Sequence, residues 1–114
     1  MYVIGILMDP IESINFKIDS SISLIHSLQN KVIIKLIIPD SIYTVSNSVH
    51  AKACDFYIDS INKNKYKLGR KMNINLNQLD CILFRKDPPV DHHYLALVQI
   101  LKELELQNTL VLNS

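Results

Sequence analysis

The chain is poor in the residues from which phosphate-binding and catalytic loops are commonly built. It has only two glycines, Gly5 and Gly69, and they stand far apart, so the sequence contains no glycine-rich phosphate loop. It contains neither a G-x-S-x-G nucleophile elbow nor an H-E-x-x-H zinc motif. The sequence therefore shows no self-contained catalytic centre.

Cysteine and net charge are also low. The two cysteines, Cys54 and Cys81, match no paired metal-binding spacing, and we expect them to be buried, reduced thiols. A formal net charge of +1 gives no argument for nucleic acid or an anionic membrane as a partner. No apolar run approaches membrane-spanning length, and the first residues do not resemble a signal peptide. We therefore expect a cytoplasmic protein.

What the chain does contain indicates one globular domain, residues 1–114, with 48% apolar and 20% charged residues. Ile, Asn and Lys are frequent, whereas Arg and Pro are rare, a bias that we attribute to A- and T-rich codons. An Arg or Pro that runs against this drift is therefore more informative than a surface Lys. One of the two arginines and three of the four prolines fall in residues 8–21 and 85–91.

Hydrophobic periodicity predicts a strand–helix–strand start. Residues 2–7 form an apolar run of strand length, and a helix capped by Asp19 or Ser20 extends to about Asn30. Residues 32–38 are β-branched enough for a second strand, parallel to the first. The apolar stripe of the helix is predicted to consist of Ile18, Ile22, Ile25 and Leu28.

The middle of the chain follows a different pattern. Residues 42–45 and 49–58 are typical of two strands joined by a hairpin turn. Residues 61–77 have weak periodicity and predict a loop, with or without a short strand. Residues 79–84 are typical of another buried strand.

The end of the chain returns to alternating elements. Asp91 is a candidate cap for a helix that extends to about Gln107, and residues 109–112 predict a last short strand. The inner face of this helix is predicted to carry Tyr94, Leu97, Val98, Leu101 and Leu104. The fold class is thus α/β, a small, mostly parallel sheet with flanking helices and a β-hairpin excursion in the middle.

Two polar segments follow predicted strands directly. These are residues 8–21, MDPIESINFKIDSS, and residues 85–91, RKDPPVD. Ligands of open α/β sheets bind at loops that leave the carboxyl ends of strands. Arg85 is suited to bind a carboxylate or phosphate, and an ordinary surface turn with an Arg–Asp pair is the alternative. The first segment, with the amides of the helix start, is suited to an anionic or zwitterionic ligand, and helix capping is the alternative for Asp19 and Ser20.

Two further motifs favour ordinary surface roles. Asp91, His92 and His93 are adjacent and lack a spaced partner, which favours an exposed first turn over a metal site. The basic run from Lys63 to Lys71 favours a solvated loop over a phosphate site, given the drift towards Lys.

The two polar segments together resemble the amino-terminal domain of bacterial glutathione synthetase. The first segment resembles the start of that domain, the second resembles its RKDPP signature, and residues 109–113, TLVLN, are similar to its closing strand. The resemblance spans nearly the whole chain and is loose only over residues 37–71. It implies a Rossmann-like domain of the kind that precedes an ATP-grasp domain.

Members of this family are ATP-grasp ligases that join γ-glutamylcysteine to glycine. The resemblance implies ATP and magnesium as cofactors of the full-length enzyme, bound in later domains that this chain does not contain. It implies no catalytic, cofactor-binding or metal-binding residue within residues 1–114, and it leaves a homo-oligomer of the full-length enzyme open.

By the same resemblance, this domain contributes to the peptide-substrate cleft. The implied substrate-binding residues are Arg85, Asn15, Ile14, Asp9 and Asp87. A non-catalytic α/β binding or assembly module remains the alternative.

Overall fold

Eight strands form one mixed sheet with two helices in the computed structural model, which describes residues 1–85, 92–107 and 109–113. The elements in chain order are β1 (Val3–Met8), α1 (Ser20–Leu28), β2 (Ile33–Ile37), β3 (Tyr43–Val45), β4 (Ser48–Ser60), β5 (Lys65–Leu68), β6 (Met72–Asn75), β7 (Cys81–Arg85), α2 (His92–Leu106) and β8 (Leu110–Asn113). Short 3-10 helices occupy Ile11–Ser13, Pro39–Ser41 and Leu76–Gln78.

Four parallel strands make up one half of the sheet. β1 lies between β2 and β7, and β8 pairs with the outer edge of β7. The β1–α1–β2 and β7–α2–β8 units therefore run outward from the centre in opposite directions. Right-handed crossovers in opposite directions place their helices on opposite faces of the sheet. This arrangement confirms the predicted α/β class.

Each helix covers its own apolar core. Ile22 and Ile25 of α1 are buried in a core that includes Ile6 of β1. The core on the α2 side includes Leu7 of β1, the next residue along the strand. The α2 residues buried there are Leu97, Leu101 and Leu104, with Tyr94 and Val98 packed at its margin, as the helical spacing predicted.

The first helix begins where its cap predicts. The carboxylate of Asp19 accepts a hydrogen bond from the backbone N–H of Ile22 at 3.1 Å. Ile18 precedes this cap and is 83% exposed, so its assignment to the apolar stripe is wrong. Helical spacing does not apply to a residue outside the helix. Cys81 is likewise half-buried and not fully buried as expected, whereas Cys54 is buried.

The other half of the sheet is antiparallel and built on the long strand β4. β2 and β3 pair with one edge of β4, and β5 and β6 pair with the other. The predicted hairpin turn is confirmed between β3 and β4, with Ser46 at a φ of 54°. Residues 61–77, predicted to form a loop with or without one short strand, instead contain two strands. Their side chains are mostly exposed, so they lack an apolar pattern.

The side chain of Gln29 takes the place of a strand on the edge of β4 that pairs with β2. Its side-chain Nε2 donates to the carbonyl of Ile58 at 2.9 Å, and its Oε1 accepts from the N–H of Ile58 at 2.8 Å. Both backbone groups of a buried residue are thereby satisfied beyond the end of the β2 pairing. The end of α1 is thus joined to β4 by a side chain.

Burial raises the pKa of both thiols. For Cys54 this effect is partly offset by the positive charge of Lys71. For Cys81 the negative charge of Asp80 raises the pKa further. Both cysteines are free. Within the described residues, no helix is long and apolar enough to span a membrane.

Replacement of Gln29 by Ala is expected to lower the free energy of unfolding by about 1–3 kcal/mol, because it leaves the backbone groups of Ile58 unpaired. Urea unfolding measures this change. Gln78→Ala is the matched control, since Gln78 is exposed in a 3-10 helix, and it is expected to change stability by less than about 0.5 kcal/mol. Equal effects of the two substitutions would contradict the edge-pairing role of Gln29.

Stability is expected to fall as the pH rises above about 8.5, the ordinary thiol pKa. The unfolded thiols lose their protons first, so the stabilisation is complete below that pH and is lost as the pH rises through the higher folded-state pKa values. The measurement is the free energy of unfolding from about pH 7 to about pH 10. The double variant Cys54→Ala, Cys81→Ala is expected to show a shallower decline. Identical slopes in both proteins would refute the assignment.

Candidate functional site

The carboxyl ends of β1 and β7 meet at the centre of the sheet. Met8 and Arg85, the last residues of these strands, are direct partners in the parallel register. The connection after β1 leads to β2 on one side, and β8 lies on the other side of β7. Neighbouring strands whose connections diverge in this way create a crevice, the usual ligand-binding position of an open α/β sheet.

The segment of residues 9–19, between β1 and α1, is held at this crevice by two buried side chains. Ile11 and Phe16 are 4% and 0% exposed. A 3-10 turn after Pro10 closes the first part, with the Ser13 hydroxyl donating to the Pro10 carbonyl at 2.7 Å. Ile14, half-buried, and Asn15, exposed, lie between the two anchors. Two of the predicted substrate residues, Ile14 and Asn15, thus lie between two buried anchors.

Asn15 also shapes the backbone that follows it. Its side-chain oxygen accepts from the N–H of Lys17 at 3.1 Å. Its carbonyl accepts from the N–H groups of Ile18 and Asp19 at 3.3 and 3.2 Å. Side-chain oxygens of Asn commonly close turns in this way. Asn15 therefore leads the chain from the crevice into the cap of α1.

Arg85 reaches from the end of β7 to the start of α1. Its Nη1 donates to the hydroxyl oxygen of Ser20 at 2.9 Å. Ser20 is thus a partner of Arg85, and the capping role belongs to Asp19. The neighbouring hydroxyl of Ser21 is buried and has no hydrogen-bond partner among the described residues. A guanidinium at the positive end of a helix dipole is an arrangement that favours an anionic ligand.

A cavity of about 290 Å³ adjoins the first residues of the segment after β1. It opens between the carboxyl ends of β1 and β2, and its polar lining comprises Asp9, Glu12, Asp40, Lys71 and Cys54. Asp9 therefore lines this cavity directly after Met8, the register partner of Arg85. Charges of both signs surround the space.

Asn64 is a residue of the site region that the sequence did not single out. It lies in the turn between β4 and β5, and its side-chain amide forms hydrogen bonds with the backbone of Ile14 and Phe16. The contact joins residues 48 and 50 positions apart, so no local pattern could reveal it.

The structure brings four of the five predicted substrate residues to one end of the sheet. Asp9 and Arg85 follow or end adjacent strands, and Ile14 and Asn15 belong to the segment after β1. Asp87 lies outside the described residues.

The two motifs assigned to surface roles have different outcomes. Asp91 and the side chains of His92 and His93 fall outside the described part, and no group of His, Cys, Asp or Glu able to hold a metal occurs among the described residues. The basic run over residues 63–71 is exposed as expected, although part of it forms β5. Lys67 pairs there with Asp59 at 3.3 Å.

Comparison with known proteins identifies the family of this chain. Residues 2–114 match the family model of the prokaryotic glutathione synthetase N-terminal domain. The chain is 36% identical to the glutathione synthetase of Wigglesworthia glossinidia brevipalpis over 114 residues, and 31% identical to that of Salmonella typhimurium over the same length. Each alignment covers 99% of this chain and 36% of the relative, so the chain spans about a third of the length of these relatives. The chain belongs to the family of prokaryotic glutathione synthetase N-terminal domains.

Proposed function

We propose that this domain forms one wall of the γ-glutamylcysteine site of a glutathione synthetase, a cytoplasmic, ATP-dependent ligase that joins this dipeptide to glycine. The observation that carries the proposal is the register pairing of Met8 with Arg85, which places Arg85 and Asp9, the residue after Met8, at the ends of adjacent strands whose connections diverge. The names of the matched relatives support the same enzyme.

The charges at the crevice fit a zwitterionic peptide. γ-Glutamylcysteine carries two carboxylates and one ammonium group. Arg85, next to the start of α1, is suited to one carboxylate through charge-assisted hydrogen bonds. Asp9 provides charge of the opposite sign at the end of the neighbouring strand. In this proposal Ile14 and Asn15 shape the side of the cleft, and Asp87 belongs to the same set.

The proposal places the binding of the implied cofactors, ATP and magnesium, outside this domain. The segment after β1 has no glycine-rich turn, and the described carboxylates form no cluster able to hold magnesium. The proposal therefore assigns the binding of ATP and magnesium to the parts of the full-length relatives that this chain does not span. In this proposal, the residues at the crevice bind and orient the peptide.

Arg85→Ala, in a full-length enzyme that carries this domain, is expected to raise the KM for γ-glutamylcysteine by about 10- to 100-fold, because a hydrogen bond to a charged group contributes about 1.5–3 kcal/mol. Arg70→Ala is the matched control, since Arg70 is the other arginine of the chain and is exposed. Steady-state kinetics with each substrate varied in turn measure the effect.

Titration calorimetry of γ-glutamylcysteine into the wild-type chain and its Arg85→Ala variant provides a second measurement. Weaker binding by the variant supports the proposal. Equal binding by both proteins, with an unchanged KM in the full-length enzyme, would favour a non-catalytic binding or assembly module.

The purified chain of residues 1–114 is expected to form no glutathione from γ-glutamylcysteine, glycine, ATP and magnesium. The physical reason is that its described residues provide neither a phosphate-binding loop nor a magnesium site. Chromatographic detection of glutathione measures the outcome, with a full-length relative as the positive control. ATP-dependent product from the isolated chain would refute the assignment of the chemistry to other parts of the enzyme.

A further inference from the structure

We propose that Asn64 is a positioning residue for the substrate-binding segment: its side chain sets the backbone on either side of Asn15 and thereby the affinity for the peptide substrate. This inference rests on the proposed function. Its starting point is that both polar functions of one amide are directed at the segment of residues 9–19 from a hairpin in the other half of the sheet.

The hydrogen bonds of Asn64 bracket Asn15. The side-chain oxygen of Asn64 accepts from the N–H of Phe16 at 2.7 Å, and the side-chain nitrogen donates to the carbonyl of Ile14 at 3.1 Å. These are the backbone groups immediately after and before Asn15. Two bonds to one planar amide fix both the position and the direction of this short stretch.

The backbone of Asn64 suits this task. Its φ is 54°, in the left-handed region that Asn tolerates better than most residues. The N–H of Asn64 donates to the carbonyl of Ile61 at 3.2 Å, and the N–H of Lys63 donates to the hydroxyl of Ser60 at 3.2 Å. The turn is therefore closed by its own hydrogen bonds before the side chain reaches the segment.

An aromatic contact next to Asn64 holds the hairpin in place. The ring of Tyr66, two residues further on, lies 5.7 Å from the ring of Phe16 and 5.8 Å from that of Phe56. Phe16 and Phe56 are buried. Tyr66 of the hairpin thus packs on Phe16, the residue whose N–H donates to Asn64. This packing fixes the position from which the Asn64 side chain makes its hydrogen bonds.

Three variants separate the side chain of Asn64 from its backbone conformation. Asn64→Gly keeps access to the positive φ and removes the amide. Asn64→Asp keeps the acceptor for Phe16 and places a carboxylate against the carbonyl of Ile14. Asn62→Gly is the matched control, because Asn62 is exposed in the same turn.

Hydrogen exchange on the chain itself is the first measurement. Asn64→Gly is expected to speed exchange of the Phe16 amide by at least about 10-fold, with the amides of β1 and β7 unchanged. Asn64→Asp is expected to show a smaller increase, and Asn62→Gly none. Unchanged exchange of the Phe16 amide in both Asn64 variants would overturn the proposal, and general acceleration across β1 and β7 would show a folding role and also overturn it.

Kinetics of a full-length enzyme that carries this domain are the second measurement. Asn64→Gly is expected to raise the KM for γ-glutamylcysteine by about 10-fold, the effect of about 1.4 kcal/mol, and to leave the KM for ATP unchanged. If the Phe16 amide exchanges faster and this KM does not change while Arg85→Ala raises it, Asn64 has no positioning role. If Arg85→Ala also has no effect, the proposed function fails, and the positioning role fails with it.

Discussion

The pairing of β1 with a parallel strand on each edge is the constraint on which the rest of the structure depends. Successive side chains of a strand point to opposite faces of the sheet, so Ile6 and Leu7 of this central strand enter different cores, and each core is covered by its own helix. The space at the strand is small: a Cβ on Gly5 would lie 2.6 Å from Leu79 Cδ1 and 2.8 Å from Ile37 Cδ1. Helices on opposite faces require connections that diverge, and divergence produces the crevice between β1 and β7.

Side-chain amides complete this sheet where backbone pairing stops. Gln29 pairs with Ile58 beyond the end of β2, and Asn64 pairs with the segment after β1. Asn77 accepts from the N–H of Val49 at 2.8 Å near the start of β4. Buried backbone groups left without partners are costly, so each of these amides has a specific structural role. The abundance of Asn that we attribute to codon usage therefore does not make every Asn uninformative.

The sequence predicted the elements whose buried side chains repeat at a regular spacing along the chain. Ile22 and Ile25 mark α1, Leu97 and Leu101 mark α2, and the apolar runs mark β1, β2 and β7, because a side chain facing a core must repeat with the period of its element. β5 and β6 were missed because their partner is β4 and most of their side chains are exposed. Pairing of this kind is determined by distant backbone, which leaves no periodic signal in the strand itself.

The same division applies to the site. Arg85 was singled out as a candidate because it follows an apolar run and because arginine is rare in this chain, and both are properties of the sequence. Its contact with Ser20, 65 residues away, depends on the parallel pairing of β1 and β7 and was not predictable from either residue. The hydrogen bonds of Asn64 to the backbone of Ile14 and Phe16 depend in turn on the antiparallel half of the sheet. In the proposed site, the parallel half of the sheet supplies the charge of Arg85, and the antiparallel half holds the segment after β1 through the hydrogen bonds of Asn64.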